Sequence, residues 1–382
     1  MKHRLAILLV LAMLLCIFVG CRTEGSDNTL EKDPPAAAGT AATDTAIDYS
    51  EIKIGLLLNS TLADGAWSQA VGQSLLRLQE ELGLSDDQIV IVEGLTGGGI
   101  ECDSTIAQLV DEGCNIIFGA SSLFLTNVNA AYPQYPDVYF AMFEGNNDAN
   151  CCSYTLWDIE GMFLCGYAGA LVSESNELGF VASQPQASIV RAINTYAAGA
   201  KAANPDATVK VIWVNSWYDP AGDKECANAL MSEGITVIGN VSTVAVLEAC
   251  EQGGAYSNGY YVDLHDYAPK AAITSFVWNF APVMKQVIDE VATGSWTAET
   301  KYAGMAEGAV ELAPWNTDIM SQADIEQCNQ MYQDIINGDY TVMEGPLQDN
   351  KGNEVLPEGE CFTLEEWTVC NFLLDNVIGD LP

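Results

Sequence analysis

The sequence predicts an α/β protein built from two Rossmann-like, doubly wound domains that are joined by a hinge. Short apolar runs alternate with segments of helical spacing in two successive rounds, which is the pattern of parallel sheets. Apolar residues make up 49% of the 382 residues, enough for a sizeable core. Roughly 330 residues follow the N-terminal segment, more than one domain of ordinary size needs.

The first round begins with the apolar run 52–58, which has the composition of a strand covered on both faces. A segment of helical spacing follows at 66–82. The same pattern predicts further strands at 89–92, 115–118 and 138–143, with helices at about 104–112 and 123–132. These units are expected to form one lobe.

The second round follows the turn-rich stretch at 145–147. Helices are predicted at 160–173, 189–203, 220–232, 243–250 and 282–292, and strands at 178–182, 209–214, 235–238 and 259–262. We therefore expect an N-terminal lobe of residues 50–148 with about 275–300, and a C-terminal lobe of residues 149–274 with about 301–382.

The N-terminal segment has the layout of a bacterial lipoprotein. Residues 1–4 are basic, Leu5 to Val19 carry no charge, and the run ends in Gly20-Cys21, which resembles a lipobox. Residues 1–21 are therefore predicted to be a signal peptide with Cys21 as the lipidation site, and the polar residues 22–49 a flexible tether. An uncleaved anchor is the alternative, but about fifteen apolar residues are short for a bilayer that needs about 20.

Charge and motif content exclude several classes of function. The chain carries 52 acidic and 14 basic side chains, a net charge of −38, which opposes binding to nucleic acid. His265 is the one histidine left after the signal peptide, so a multi-histidine metal site is not expected. Neither a phosphate loop, a dinucleotide turn nor a G-x-S-x-G elbow follows a predicted strand, and we expect no metal and no cofactor.

Ten cysteines remain beyond Cys16 and Cys21. Cys151 and Cys152 are adjacent, and the spacing shows neither a C-x-x-C pair nor a regular framework. Small buried thiols and several disulfides both fit this pattern.

Four segments of the body resemble the basic-membrane-protein family, the lipoprotein receptors of ABC importers for purine nucleosides and related compounds. They are 63–69 (ADGAWSQ), 213–220 (WVNSWYDP), 267–280 (ending in VWNF) and 345–349 (GPLQD). The resemblance implies a type I periplasmic-binding-protein fold and a purine-type ligand held between two lobes. It also implies permease partners and a lipid-anchored position at the outer face of the cytoplasmic membrane, with no catalysis.

Ligands of open parallel sheets sit beyond the carboxyl ends of the strands, which locates the candidate site. A flat purine needs aromatic faces and a few polar groups that read its edge, and Trp67 and Trp217 follow strands of opposite lobes. The predicted ligand-binding residues are Asn59, Asp64, Trp67, Ser68, Ser121, Glu144, Trp217, Asp219, Asp263 and Trp278. Asp219 before Pro220 equally fits a helix N-cap, and Glu144 and Asp263 equally fit solvated carboxylates.

One position departs from the nucleoside-binding members of the family. They carry a lysine three residues after the Thr-Ser pair, where this chain has Trp278 after Thr274-Ser275. An aromatic ring in place of that cation favours a purine base or a related heterocycle over a nucleoside.

Two other functions fit the sequence. Asp64 and Glu144 could serve as the acid and base of a nucleoside or sugar hydrolase. A sensory lipoprotein that passes its ligand to a membrane kinase would use the same binding physics as a transport receptor.

Overall fold

The computed structural model describes residues 47–382 and contains two open sheets. The first sheet has the strand order β11-β5-β4-β3-β1-β2, and all of its pairings are parallel. Its strands are β1 (Ile54–Leu57), β2 (Ile89–Val92), β3 (Ile116–Gly119), β4 (Tyr139–Phe143), β5 (Cys151–Leu156) and β11 (Lys301–Ala303).

The second sheet has the order β12-β10-β9-β8-β6-β7-β15 and is parallel except for the β10–β12 pair. Its strands are β6 (Glu177–Ala182), β7 (Thr208–Trp213), β8 (Val237–Val241), β9 (Tyr256–Tyr261), β10 (Ala272–Trp278), β12 (Val310–Leu312) and β15 (Val377–Ile378). Two further strands, β13 (Leu347–Gln348) and β14 (Glu354–Leu356), form a small antiparallel hairpin.

Helices cover both sheets. They are α1 (Trp67–Leu82), α2 (Ile100–Asp111), α3 (Leu125–Ala131), α4 (Ile159–Val172), α5 (Ala187–Ala203), α6 (Pro220–Ser232), α7 (Ala245–Gly253), α8 (Ala281–Thr293), α9 (Gln322–Ile336) and α10 (Leu364–Thr368). Within 47–382, none of these helices has the length and apolar content that a membrane crossing requires.

The predicted α/β class is confirmed: both sheets are doubly wound and parallel apart from the β10–β12 pair, and their central strands are buried on both faces. The residues at which the chain passes from one sheet to the other differ from the predicted boundaries of the lobes. Strands β5 and β11 pair in the first sheet, although they fall in the predicted C-terminal lobe, and β10 pairs wholly in the second sheet. Helix α8 packs on α1 and β5, beside the first sheet.

Helices α4 and α5 cross at very short distance, and glycines permit this. A Cβ atom on Gly166 would lie 2.0 Å from the carbonyl oxygen of Tyr196, and one on Gly199 would lie 1.9 Å from that of Phe163. Helix α4 is also buried around most of its circumference. The position of α5 is thereby fixed against the helix that enters the second lobe.

The C-terminal segment is docked on the second lobe through buried amides. Asn194 on α5 donates to the carbonyl of Phe372 at 2.8 Å and accepts from the amide of Leu374 at 2.9 Å. Strand β15 then pairs with β7 and covers that edge of the second sheet.

All ten cysteines of the described residues are free thiols. Cys361 is exposed and Cys226 is half-buried, while the other eight are buried. Burial raises the pKa of the adjacent thiols Cys151 and Cys152 to about 12, so both are protonated and unreactive at neutral pH.

We expect Gly199→Ala to lower the free energy of unfolding by at least about 2 kcal/mol, because the new methyl group must push α5 away from α4. Gly97→Ala is the matched control, since the space around its Cβ position is open and its stability should change by less than about 0.5 kcal/mol. Urea unfolding of both variants measures the difference. Equal stability of the two variants would contradict close helix packing.

Candidate functional site

The chain passes between the two lobes three times, and the three crossings are bonded to one another. The amide of Trp157, after β5, donates to the carbonyl of Ala303 at 2.8 Å. Asn279, after β10, donates its amide to Ala309 at 2.9 Å and its side chain to Gly308 at 2.9 Å. This bonded triple crossing forms a hinge beside the gap between the lobes.

An aromatic cluster fills the gap above this hinge and contains rings from both lobes. Trp67, at the start of α1 in the first lobe, lies edge-on to Tyr261 and Trp278 of the second lobe, with centroids 5.7 and 5.3 Å apart. Phe143 and Phe280 contact the same indole at 4.7 and 5.4 Å. The indole nitrogen of Trp67 donates to the carbonyl of Ala120 at 2.6 Å, which fixes the ring at the end of β3.

Beside the cluster lies a buried ion pair of the second lobe. Arg191 on α5 is 7% exposed and pairs with Asp158 at 3.2 Å, where Asp158 precedes α4. Burial alone would lower the pKa of Arg191, but the carboxylates of Asp158 and Glu144 outweigh it and the pKa is raised. Arg191 therefore remains a cation inside the gap.

Glu144 faces this cation from the first lobe. Its side chain is accessible to solvent, but nearby protein atoms partly desolvate the carboxyl group and raise its pKa. The positive charge of Arg191 opposes this rise in pKa, and the negative charge of Asp158 adds to it. The side chain is therefore accessible to solvent and to a ligand, and its carboxylate oxygens can accept a hydrogen bond.

Three residues at strand ends adopt left-handed backbone conformations that side chains other than glycine rarely take. Glu144 follows β4 with φ 47°, Asn215 follows β7 with φ 60°, and Tyr261 ends β9 with φ 72°. Such conformations cost about 1 to 3 kcal/mol each and concentrate at functional sites. All three lie at carboxyl ends of parallel strands, where α/β sheets bind ligands.

Several predicted site residues are engaged in local structure. Asp64 accepts the amides of Ala66, Ser68 and Gln69 at 2.9 to 3.1 Å and so caps the start of α1. Four more predicted residues make local contacts. The buried hydroxyl of Ser68 donates to the side-chain oxygen of Asn59, Ser121 caps a 3₁₀ turn, and Asp219 caps α6. Their predicted contact with ligand stays a prediction.

The predicted indole pair is not seen in this conformation. Trp217 is 56% exposed, and the rings that meet Trp67 across the gap are Tyr261 and Trp278 instead. Asp263 is also exposed, and it lines a surface cavity of about 400 Å³ with His265 and residues 314–318. Trp67, Glu144 and Trp278 are the predicted residues that the fold brings together.

Four further residues of the site escaped the sequence prediction: Asp158, Arg191, Tyr260 and Tyr261. Arg191 carried a usable signal, since it interrupts an apolar helix in a chain with only 14 basic residues. Tyr260 and Tyr261 end β9, whose sequence YSNGYY lacks the apolar residues that indicate a buried strand. In residues 47–382, no cluster of three metal-ligating side chains is present.

Two α/β lobes that face one another across an aromatic gap, with a bonded triple hinge beneath, are the architecture of type I periplasmic-binding proteins. A solved ABC transporter solute-binding protein from Conexibacter woesei has the same fold, with a TM-score of 0.62 at 17% identity over 76% of this chain and 98% of that chain.

The chain belongs to the Bmp family, described as ABC transporter substrate-binding proteins of the PnrA-like type, whose model matches residues 51–344. The family resemblance predicted from the sequence is thereby confirmed. A relative named as a purine-binding protein of Brucella abortus is 27% identical over 87% of this chain and 94% of its own length. A protein of Haloferax volcanii, provisionally named an ABC transporter glucose-binding protein, is 28% identical over 78% of this chain and 75% of its own length.

The hinge contains a carboxyl group with a displaced pKa. Glu160, in the first turn of α4, accepts the amide of Met305 at 2.6 Å from the third crossing. Burial raises the pKa of Glu160 to about 7; the Met305 amide opposes this shift, and Glu307 adds to it. The folded protein therefore holds a proton here that the unfolded chain releases near pH 4.5.

Because the folded state binds this proton more tightly, we expect the contribution of Glu160 to stability to be full below pH 4.5 and to be lost as the pH rises to about 7. The loss is at most about 3 kcal/mol. Urea unfolding of Glu160→Gln across this range should show a smaller decline than the parent protein. The control is Glu112→Gln, a surface substitution that should lose as much stability between pH 4.5 and 7 as the parent protein. The raised pKa would be wrongly assigned to Glu160 if Glu160→Gln also lost as much stability as the parent protein over this range.

Proposed function

We propose that this protein is the lipid-anchored, extracytoplasmic receptor of an ABC importer and that it binds a purine base or a related flat heterocycle between its lobes. The observation that carries the proposal is the contact of Trp67 with Tyr261 and Trp278 across the gap. These rings would separate when the lobes open and close again on the two faces of a flat ligand.

Polar groups at the edge of the cluster supply the recognition of a heterocycle. Glu144 from one lobe and Arg191 from the other flank the rings, so a ligand between them meets an acceptor and a donor. Aromatic walls with a few convergent polar groups are typical of small-molecule sites. The purine-binding relative from Brucella abortus supports the same ligand class.

Binding without turnover fits the site better than hydrolysis. The hydrolase alternative requires Asp64 as an acid or base, but its carboxylate accepts three backbone amides as a helix cap. A sensory lipoprotein would bind the same ligand in the same way. It would differ from a transport receptor in passing the ligand to a membrane kinase rather than to a permease.

The anchor and the permease complete the proposal. The predicted signal peptide, Cys21 and most of the tether lie outside the described residues. Family membership supports a permease partner and work outside the cytoplasm, and the lipobox-like Gly20-Cys21 supports attachment through lipid.

Calorimetry of the mature protein should detect a purine base that binds more tightly than about 100 μM, with nucleosides weaker. The titrations include hypoxanthine, guanine, xanthine, adenine, adenosine, guanosine, riboflavin and glucose. Trp67→Ala should weaken this binding about 5- to 150-fold, the cost of one lost stacking contact. The control is Tyr302→Ala, an exposed ring on β11.

Chromatography of the ligand after overnight incubation should return it unchanged. Conversion of a nucleoside to its base would establish the hydrolase instead. Binding of glucose with no binding of any heterocycle would overturn the proposed ligand class.

Cys21→Ser should move the protein from the membrane fraction to the soluble or unprocessed fraction, because the thiol that would carry the lipid is gone. Fractionation of cells that express either form tests this, with Cys16→Ser as the matched control. A parent protein that is already soluble, or a Cys21→Ser variant that stays processed and membrane-bound, would contradict lipid attachment at this residue.

A further inference from the structure

Two buried nitrogen donors beside the aromatic cluster have no acceptor among residues 47–382. They are the indole Nε1 of Trp278 and the Nε of Arg191. Each residue is only 7% exposed, so bulk solvent does not reach either donor. Buried donors are almost always paired, so these two call for an explanation, and a bound partner is one that their position beside the cluster favours.

Both donors belong to one part of the gap. The ring of Trp278 lies 5.7 Å from that of Tyr260, and Arg191 is close enough to the hydroxyl of Tyr260 for their charges to interact. Tyr260 is thus a common neighbour of Trp278 and Arg191. All three residues come from the second lobe, from β9, β10 and α5.

One terminal nitrogen of Arg191 is engaged by Asp158. Its Nη2 pairs with the two oxygens of Asp158 at 3.2 and 3.4 Å, which fixes the plane of the guanidinium group. A planar cation that is held on one side presents its remaining N–H in a defined direction. This arrangement suits a carbonyl oxygen of a ligand, whose two lone pairs can accept from both donors.

The first lobe offers the opposite kind of group. The Glu144 carboxyl group is exposed and lies close enough to Arg191 for their charges to interact, and it can accept an N–H from a ligand. The gap therefore has two donors on one wall and an acceptor on the other. A ring that carries a carbonyl next to an N–H matches both walls at once.

We propose that Arg191 and Trp278 donate to acceptor atoms of the ligand and that Glu144 accepts its ring N–H, so that the site selects 6-oxopurines over 6-aminopurines. This inference rests on the proposed function. The amino group of adenine would present hydrogens where the protein also presents hydrogens, and these buried donors would stay unpaired. Sites built around such donors discriminate strongly against ligands that lack the matching acceptor.

Calorimetry with hypoxanthine and adenine tests the selection directly. Hypoxanthine should bind at least about tenfold more tightly than adenine. Trp278→Phe keeps an aromatic ring and removes the Nε1 donor, and it should weaken hypoxanthine about 3- to 10-fold while changing adenine less. Trp296→Phe is the matched control, because its indole donates to the carbonyl of Ala149.

Arg191→Lys keeps the positive charge beside Asp158 and removes the Nε donor. It should weaken hypoxanthine at least about tenfold, with a thermal melt to verify that the variant is folded. A purely structural role for Arg191 would change the melt and leave the ratio of the two affinities as it is in the parent protein.

The outcomes separate the two levels of the proposal. Tighter binding of adenine, or an unchanged ratio in folded Trp278→Phe and Arg191→Lys, would overturn the selection while the purine receptor stands. Binding of neither base nor any other heterocycle would overturn the proposed function and this inference together.

Discussion

The site depends on an ion pair that is almost wholly removed from water. Arg191 and Asp158 are each 7% exposed and lie 3.2 Å apart. Such a pair contributes little net stability, because the loss of hydration offsets most of the attraction. The ion pair instead determines geometry. Because Asp158 precedes α4 and Arg191 lies on α5, the pair fixes the guanidinium group at the edge of the gap. The close glycine contacts between α4 and α5 keep the two helices, and so the pair, in this position.

The aromatic rings and the charges act together. Tyrosine, phenylalanine and tryptophan side chains make the gap a poor solvent for ions, which strengthens each polar contact inside it. Arg191 stays charged in these surroundings because two carboxylates face it. A neutral ligand with a polarised edge fits such a place better than a free ion, since it brings hydrogen-bonding atoms without a large hydration cost.

The sequence predicted the fold well where hydrophobic contrast was strong. Strands β1 to β4 and helices α1, α4 and α6 lie within a few residues of their predicted positions. Strand β5 was missed because CCSYTL combines cysteine with polar residues and lacks the valine and isoleucine that indicate strands. Strands β11 and β12, each three residues long, carry too little pattern to detect. The predicted lobe limits differ from the sheets because β5 and β11 pair in the first sheet and β10 pairs in the second.

The site was predictable only in part, for a different reason. Trp67 and Glu144 follow predicted strands and could be found from that rule alone, whereas Trp278, the last residue of β10, is indicated by the family-like VWNF motif instead. Arg191 lies more than a turn into a helix, and Tyr261 turns toward the gap through an unusual backbone angle; neither property is visible in a residue pattern. The exposed position of Trp217 likewise follows from the loop path after β7, which its short motif does not encode.

The triple crossing has a consequence for how the protein is made. The first sheet needs β11 at its edge, and this strand leaves the ribosome only after about three quarters of the chain, well after the strands of the second sheet from β6 to β10. Neither lobe can be completed during synthesis as an independent unit, and no continuous gene fragment encodes one alone. Exchange of a single lobe between related receptors therefore requires a separate junction in the gene at each of the three crossings.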